Sequence, residues 1–348
     1  MILISFIVPC YNSEEYMEKC IDSLMHFPEH TEIIIVDDGS TDSTPAICDR
    51  YVLNYPDTVK VIHQENRGHG GAINAGLAVS KGLYTKIVDS DDWLNPSSLE
   101  TVIDRLIAAE KDGGVDLLVT NYSYFRKAVG ERNGGGIEKT ITYKSFFKPD
   151  VIETWDDVSV WKIRPWNQFL MHALTFRTEI VKKSGMTLPE KVYYEDNYII
   201  CSLFSHCKTI LYLDLDFYVY LVGRTGQSVS RDVLKIRNND VRTVTEMCWN
   251  LIDLDMIRGE NKKLYHIMKH ELWLLLSSAI LFSRIPRTRE ADIEVKEFCR
   301  RLKNHNKKYY YRFMIGNLFI LLRIPGPIGR FVSLDIVLNI AHAFVGFN

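Results

Sequence analysis

The sequence predicts an α/β fold, in which a largely parallel sheet is flanked by helices and followed by a helical C-terminal region. Three observations lead to this prediction. Short apolar runs alternate with helical patterns over about the first 120 residues. The run at residues 32–36 is almost entirely Ile and Val, which is typical of a strand buried on both faces of a parallel sheet. From about Val233 onward, the spacing of apolar residues becomes helical.

Local patterns predict the individual elements. Asn12 or Ser13 is a good N-cap for a first helix, with Glu14 and Glu15 in its first turn, and Pro45 is favoured at the start of a second. Further helices are predicted over residues 70–80 and from Pro96 onward, and strands over residues 2–8, 32–36, 59–63, 84–88, 173–176 and 210–220.

Composition and charge narrow the class of protein. The net charge of -2 gives no reason to expect a nucleic-acid partner. The seven cysteines include no CxxC pair, so we expect reduced, mostly buried thiols in a cytoplasmic protein rather than a zinc knuckle. Pro9 ends the first apolar run early and no basic segment precedes it, which argues against a signal peptide. No stretch reaches the roughly 18 apolar residues that a membrane span needs.

Polar side chains follow three of the predicted strands, at the point where each strand ends. Ligands of a parallel α/β sheet bind at the carboxyl ends of its strands, so three such clusters together predict a binding site. The clusters are Pro9-Cys10-Tyr11-Asn12, Asp37-Asp38-Gly39-Ser40 and Asp89-Ser90-Asp91-Asp92.

The third cluster is a candidate metal site. Asp89, Asp91 and Asp92 repel one another unless a cation or hydrogen-bond donors offset their charge. Mg²⁺ and Mn²⁺ prefer oxygen ligands and often bind carboxylates together with substrate phosphates. The alternative is a group of capping residues for the helix that starts near Pro96, for which one aspartate would suffice.

The second cluster and a glycine-rich segment suggest a nucleotide. Asp38 is suited to accept a hydrogen bond from a base or a ribose hydroxyl, although Asp37-Asp38-Gly39 is also ordinary turn chemistry. The segment from Asn66 to Gly71 permits close backbone approach to an anion, but it is not a P-loop because it lacks GKS or GKT.

Two later segments are candidates for catalysis and for phosphate binding. Glu195 and Asp196 follow two tyrosines, and a carboxylate in such a partly apolar setting can serve as a general base with a raised pKa. The alternative is an acidic pair at a helix N-terminus. The segment 224–231, which ends in Arg231, could close over a diphosphate or form a solvated loop. His172, which has no metal spacing, is interpreted as structural.

In combination, these motifs resemble glycosyltransferase family 2, whose members have the GT-A fold, a Rossmann-like mixed sheet flanked by helices. Their order and spacing match over residues 1 to about 230, whereas residues beyond about 235 match no family. The matching segments are Phe6-Ile7-Val8-Pro9-Cys10-Tyr11-Asn12, Ile35-Val36-Asp37-Asp38-Gly39-Ser40-Thr41-Asp42, Asn66-Arg67-Gly68 through Asn74-Ala75-Gly76, Asp89-Ser90-Asp91-Asp92 and Tyr194-Glu195-Asp196.

The resemblance implies an inverting transfer from a nucleoside-diphosphate sugar, usually UDP-linked, with Mn²⁺ or Mg²⁺. By position, Asp91 would bind the metal, helped by Asp89 and Asp92, and Asp89 would also face the ribose or sugar. Asp196 would be the base that deprotonates an acceptor hydroxyl, with Glu195 beside it. The donor would be held by Pro9, Tyr11, Asn12, Asp37, Asp38, Asn66, Arg67, Gly68, Asn74, Asp89, Ser90 and Arg231.

The chain departs from the family pattern in two places. His69 stands in a loop where many relatives carry an Ala-Arg-Asn run, and we expect it to alter contacts near the donor. The Gln-x-x-Arg-Trp motif and the paired transmembrane helices of processive synthases do not occur, which predicts a non-processive enzyme that adds one sugar per encounter. The resemblance implies a glycan or lipid-linked acceptor.

Two other functional classes are compatible with acidic clusters on an α/β sheet. A sugar nucleotidyltransferase would show a basic, glycine-rich loop after the first strand, where this chain has Pro9-Cys10-Tyr11-Asn12. A non-catalytic sugar-binding protein would be expected to lack the metal or base carboxylates, all of which are present here.

Three domains are predicted: a nucleotide-sugar half at residues 1–125, an acceptor half at 126–232 and a helical region at 233–348. A loop rich in glycine and charge, residues 126–139, would join the first two. Residues 298–334 carry no acidic residue. One expectation is that they contact the anionic lipids on the inner face of the cell membrane. The alternative is that they pack on protein, either within this chain or on a second copy in a homo-oligomer. Their basic residues are Arg300, Arg301, Lys303, Lys307, Lys308, Arg312, Arg323 and Arg330.

Overall fold

The computed structural model describes residues 1–127, 135–161, 163, 167–223, 233, 236–314, 324, 326–331 and 334. The chain forms two compact units. The first comprises Met1–Lys162 with Phe169–Arg224, and the second comprises Ile163–Gln168 with Thr225–Asn348.

The first unit is a mixed sheet flanked by helices. Its strands are β1 (Ile4–Cys10), β2 (Thr31–Asp37), β3 (Val59–His63), β4 (Tyr84–Ile87), β5 (Trp93–Leu94), β6 (Leu117–Lys127), β7 (Gly135–Ile141), β8 (Ile152–Thr154), β9 (Leu174–Arg177) and β10 (Thr209–Val222). Its helices are α1 (Met17–Leu24), α2 (Thr44–Asn54), α3 (Gly68–Val79), α4 (Pro96–Lys111), α5 (Thr178–Ser184) and α6 (Asp196–Leu203). Short 3₁₀ turns lie at Met171–Ala173 and Phe204–His206.

The strand order decides which loops can meet. The sheet runs β3-β2-β1-β4-β9-β6-β10-β5, with β7 paired to β6 and β8 paired to β10. The four strands from β3 to β4 are parallel, and β9 lies antiparallel between β4 and β6. Because β1 lies between β2 and β4, the carboxyl ends of these three strands come together at one edge of the sheet.

Burial explains the apolar character of the central strands. Every residue of β1 and β2 is buried, as the Ile and Val run predicted. Glu32 is a buried charged residue within β2. Its carboxylate accepts hydrogen bonds from the Ser5 hydroxyl (2.6 Å) and from the Lys81 and Gly82 amides (2.6 and 3.2 Å), and it pairs with Lys60. These partners offset the cost of burying a charge.

The first helix starts later than predicted, at Met17 rather than after Asn12 or Ser13. The prediction was wrong because both side chains bond elsewhere. Asn12 has a left-handed backbone (φ 49°), and its side-chain oxygen accepts from the Thr41 amide at 2.8 Å. The Ser13 hydroxyl lies 2.7 Å from that of Ser90.

The loop predicted at residues 126–139 is largely a hairpin. β6 continues through Lys127 and β7 begins at Gly135, while residues 128–134 lie outside the described part of the chain. Glycine favoured the loop prediction, yet backbone pairing with β6 and the 2.8 Å contact between the Ser123 and Thr140 hydroxyls stabilise a strand there.

The second unit is helical in its described residues, as predicted. Its helices are α7 (Asn238–Leu251), α8 (Leu254–Glu260), α9 (Lys262–Ser283), α10 (Arg289–His305), α11 (Lys307–Met314) and α12 (Gly326–Phe331). The Trp249 ring of α7 lies against Tyr309 and Phe313 of α11, with centroids 6.2 and 5.5 Å away. Within the described ranges, no helix combines the length and the hydropathy that a membrane crossing requires.

The boundary predicted near residue 125, between donor and acceptor halves, stays a prediction.

Candidate active site

Hydrogen bonds tie the three strand-end clusters to one another. The Asn12 amide donates to the Ser40 hydroxyl at 3.0 Å, which joins the end of β1 to the loop after β2. The contact between Ser13 and Ser90 joins the end of β1 to the loop after β4. The three clusters predicted from the sequence therefore form one continuous surface at the carboxyl edge of the sheet.

Asp38 organises the loop that leads into α3. One carboxylate oxygen accepts from the Gln64 amide group (2.7 Å) and the Arg67 backbone N–H (2.8 Å), and the other from the Gly68 N–H (2.7 Å). Asp38 is buried, so these bonds also satisfy its charge. The predicted contact between Asp38 and a nucleobase stays a prediction, and any such contact would share oxygens already bonded to this loop.

Asp37 plays a similar part next to it. Its oxygens contact the Ser40 amide at 3.0 Å and the His63 ring at 2.8 Å. The hydrogen bond to Asp37 raises the pKa of His63. The other ring nitrogen of His63 faces Asp49 at 3.2 Å, so this histidine bridges two carboxylates away from the aspartates of the third cluster.

Two of the residues predicted to hold the donor are exposed and leave a surface on which a ligand can bind. The Tyr11 side chain is 53% exposed at the end of β1, and the Arg67 guanidinium pairs with Glu190 at the surface. A flat aromatic ring and a cation are suited to a base and a phosphate, respectively.

The aspartates after β4 differ in their surroundings. Asp92 is buried, and its carboxylate accepts hydrogen bonds from the Tyr218 hydroxyl (2.6 Å) and the Leu221 amide (2.8 Å). Burial, together with the charges of Asp91 and Asp89, raises the pKa of Asp92 well above its usual range. The side chain of Asp89 is 22% exposed and faces the site.

The side chains gathered here fit a divalent cation. Asp89, Asp92 and His172 each offer one ligand atom, and these atoms lie within 4.8 Å of one another. Burial lowers the pKa of His172 to about 4, so its ring is neutral, and its buried Nδ1 has no hydrogen-bond partner in the described chain. The two carboxylates are ligands that suit Mn²⁺ or Mg²⁺, and the imidazole nitrogen adds a ligand of the kind that transition metals accept. Asp91, the predicted principal ligand, is not in this group, and its role stays a prediction.

His172 is the residue that the sequence did not reveal as a site candidate. Its ring lies between those of Tyr218 and Tyr220, with centroids 4.7 and 4.6 Å away. The residue precedes β9, which inserts beside β4, so only the sheet order brings it under Asp89. No spacing pattern in the chain indicates this position.

His69 links Asp89 to Glu195, the residue that precedes the candidate base Asp196. Its Nε2 lies 2.9 Å from Asp89 Oδ1 and its Nδ1 lies 2.5 Å from Glu195 Oε1. Burial opposes a charge on the ring, but the charges and hydrogen bonds of Asp89 and Glu195 outweigh burial and raise the pKa of His69 well above its ordinary value. The departure noted in the sequence is therefore a contact within the site.

Asp196 begins α6 beside this contact. Burial raises its pKa to about 7, with further contributions from the charges of Glu195 and Asp89. The Asn197 amide group donates to Asp196 Oδ1 at 2.9 Å. A carboxylate with this pKa is a stronger base than an ordinary aspartate.

Residues 188–195, called the base loop below, pack on α3. The Asn74 side chain forms two 2.9 Å hydrogen bonds with the backbone of Leu188, and the Lys191 amide donates to the Arg67 carbonyl at 3.0 Å. Lys191 and Tyr194 have positive φ values of 56° and 69°, each of which costs about 1–2 kcal/mol in a residue with a side chain. The contacts with α3 offset this strain and fix the conformation of the loop.

The other predicted residues differ in what they contact. Ser90 contacts Ser13, and Asn74 holds the base loop. Trp155 is a core residue whose indole donates to the Cys207 carbonyl at 2.6 Å. Arg231 lies outside the described residues.

Comparison with known proteins identifies a family segment. Residues 5–151 match the model of glycosyl transferase family 2. The chain therefore contains a glycosyltransferase family 2 segment. Among curated relatives, it is 39% identical to glycosyltransferase GlyG of Streptococcus pneumoniae serotype 4 over 130 residues, which are 37% of this chain and 42% of GlyG.

A second relative is similar in sequence, and a solved structure shares the fold. The chain is 31% identical to a poly(ribitol-phosphate) beta-glucosyltransferase of Bacillus spizizenii over 233 residues, 65% of this chain and 33% of the relative. The crystal structure of S. aureus TarS 1-349 in complex with UDP-GlcNAc matches with a TM-score of 0.54 and 19% identity, covering 90% of each chain. The chain thus has the GT-A fold, and it spans 42% and 33% of the length of these two curated relatives.

The packing of the base loop on α3 can be tested at Gly70. A methyl group there would collide with the Pro189 carbonyl oxygen, a backbone atom that cannot move without the base loop. We expect Gly70→Ala to lower the free energy of unfolding by about 1–3 kcal/mol, measured by urea denaturation.

Gly259→Ala is the matched control, since Gly259 is an exposed helical glycine with no atom near its added methyl group. It should raise stability by up to about 1 kcal/mol. Equal stabilisation by the two variants would contradict the close packing at Gly70.

Proposed function

We propose that this protein is an inverting glycosyltransferase that moves one sugar from a UDP-linked donor to a hydroxyl of a glycan or lipid-linked acceptor. The observation that carries the proposal is the cluster around His69. It joins Asp89, from the donor motif, to Glu195, which directly precedes the candidate base Asp196. A donor-side carboxylate and a carboxylate of raised pKa thus lie at one edge of the sheet.

The donor side supports a nucleoside-diphosphate sugar. By the family resemblance, the exposed ring of Tyr11 and the loop ordered by Asp38 would hold the base, and Arg67 adds a cation nearby. The TarS structure of the same fold contains UDP-GlcNAc, which favours a uridine nucleotide. Pro9, Asn12, Asn66, Gly68 and Ser90 complete the proposed donor site.

A divalent cation fits the acidic cluster, with Asp91, Asp89 and Asp92 as the proposed holders and His172 as an additional ligand. When bound, Mn²⁺ or Mg²⁺ would offset the charge on the departing diphosphate. Asp89 would orient the ribose or sugar next to it.

Asp196 would take the proton from the acceptor hydroxyl. A base of pKa about 7 is largely unprotonated just above neutral pH, yet it holds a proton better than an ordinary carboxylate. Inversion requires the hydroxyl to attack from the face opposite the diphosphate. The base loop, held on α3 by Asn74, would fix Asp196 on that face.

The family 2 segment favours sugar transfer over nucleotidyl transfer. A sugar nucleotidyltransferase would release pyrophosphate or consume a nucleoside triphosphate, and a non-catalytic binding protein would release nothing. UDP release, measured with and without an acceptor, distinguishes these classes from the proposed transferase.

The proposed metal site predicts that Asp91→Asn abolishes sugar transfer, because it removes a charged ligand from a strand end. The melting temperature should stay within a few degrees of wild type. Activity would be measured as UDP release with Mn²⁺, and excess EDTA should have the same effect on the wild-type protein.

Asp104→Asn, an exposed aspartate on α4, is the control and should keep full activity. Full activity of Asp91→Asn, or of the wild type in EDTA, would rule out the metal assignment.

The proposed base predicts a pH dependence. Because Asp196 must be unprotonated to act, the rate of transfer should rise with pH and level off above about 7. Asp196→Asn should remove transfer and this pH limb while leaving the affinity for UDP, measured by calorimetry, near that of wild type. Loss of UDP binding in the variant would instead assign Asp196 to the donor site.

The C-terminal region has two proposed roles, and the described residues favour packing within the helical unit. Four basic residues of segment 298–314 contact other residues of the helical unit. Arg300 pairs with Glu297, Arg301 with Glu246 and Lys308 with Asp255, each at 2.6 Å, and Arg312 donates to the Tyr265 hydroxyl at 3.0 Å. Charges engaged in this way are less available to anionic lipids. We therefore propose that residues 298–314 stabilise the unit.

Phe313→Ala tests this role, because Phe313 is buried against Trp249. The substitution should lower the free energy of unfolding by about 3–5 kcal/mol. Tyr311→Ala, at a ring that is 47% exposed, should cost less than about 1 kcal/mol.

In flotation with anionic liposomes at low salt, the full chain should stay in the soluble fraction. Co-flotation that Tyr311→Ala weakens would support membrane contact instead.

A further inference from the structure

His69 connects two parts of the site that are far apart in the chain. It lies 20 positions from Asp89 and 126 from Glu195, yet it contacts both carboxylates through its two ring nitrogens. Asp89 belongs to the proposed donor side, and Glu195 directly precedes the proposed base. The ring is thus a direct bridge between the donor and the acceptor halves of the reaction.

The backbone around His69 leaves little freedom for this bridge to move. A methyl group on Gly68 would meet the Lys191 amide nitrogen at 2.6 Å, so the start of α3 and the base loop touch backbone to backbone. The Lys191 amide donates to the Arg67 carbonyl on the other side of Gly68. His69 follows directly in α3, so the backbone that carries its ring is held against the base loop.

The end of the base loop has an unfavourable backbone conformation that other contacts must stabilise. Tyr194 has a φ of 69°, a strained conformation for a residue with a side chain, and the next residues are Glu195 and Asp196. The first turn of α6 then forms as the Tyr198 amide donates to the Glu195 carbonyl at 2.9 Å. The bond from His69 holds Glu195, the residue that directly precedes the base.

We propose that His69 is a positioning residue that sets the distance between the donor-side carboxylate Asp89 and the base Asp196 by holding Glu195. This inference rests on the proposed transferase function and goes beyond it by assigning a role to a residue at which the chain departs from the family pattern. Without the bridge, the donor would still bind, but Asp196 would no longer be aligned with the acceptor hydroxyl. Transfer would therefore slow while donor affinity remains.

His63 provides a matched control. It also bridges two carboxylates through both ring nitrogens, at 2.8 Å to Asp37 and 3.2 Å to Asp49, and its side chain is exposed to a similar extent, 43% against 37% for His69. It does not contact the base loop in the described structure. An effect common to any lost histidine bridge should therefore occur in both variants, whereas an effect on base position should occur only at His69.

The experiment compares His69→Asn, His69→Gln and His63→Asn with wild type by three measurements. These are calorimetry with UDP in the absence of metal, steady-state UDP release from UDP-GlcNAc and UDP-glucose, and amide hydrogen exchange at Lys191, Asn197 and Tyr198. In both His69 variants we expect kcat to fall at least about tenfold, because small misplacements of a base reduce rates steeply. We also expect exchange at these amides to accelerate, because the base loop has lost its contact with His69. The Kd for UDP should change by less than about twofold, and in His63→Asn the exchange at these amides should match wild type.

Three results would overturn the inference. They are an unchanged kcat in both His69 variants, unchanged exchange at the three amides, and a loss of UDP affinity that accounts for the whole fall in rate. If the wild-type protein released no UDP from either donor, the proposed function would fail for those donors. Hydrogen exchange would still decide whether His69 holds the base loop, so the two failures are distinguishable.

Discussion

Like charges set the main constraint on this site. Asp89, Asp91 and Asp92 follow one strand, and Glu195 and Asp196 are brought to the same edge of the sheet, where water is partly excluded. Carboxylates in such a group raise one another's pKa unless cations or hydrogen bonds intervene. His69 bonds to Asp89 and Glu195, and the Tyr218 hydroxyl and the Leu221 amide bond to Asp92. Asp196, whose Oδ1 accepts a bond from the Asn197 amide, keeps a pKa near 7.

The same network orders the loops in sequence. Asp38 holds the backbone of Arg67 and Gly68 at the start of α3, and α3 in turn holds the base loop through Asn74. The loop after β2 is thus connected through hydrogen bonds to the residues beside the base. In a transferase, such a connection places nucleotide recognition and acceptor activation in one rigid framework rather than on independent loops.

Much of this arrangement could be predicted from the sequence, because parallel strands place their carboxyl ends together. The clusters that begin at Pro9, Asp37 and Asp89 required only the alternation of strands and helices. The contacts of His69 and His172 could not be predicted in the same way. They depend on the insertion of β9 beside β4 and on the positive φ values of Lys191 and Tyr194, for which a lysine and a tyrosine give no local signal. The late start of α1 was missed because Asn12 bonds across to Thr41 rather than to its own helix.

The order of strands has a consequence for how the chain must fold during synthesis. The segment that carries the family match ends at residue 151, but β9, at Leu174–Arg177, lies between β4 and β6, and the long β10 pairs with β6 on its other side. Until β9 emerges from the ribosome, β4 and β6 present unpaired edges, which are prone to wrong pairing and aggregation. The motif-bearing half therefore cannot complete its sheet alone. A truncation at the end of the recognisable family segment would yield a fragment with open edges, not a smaller enzyme.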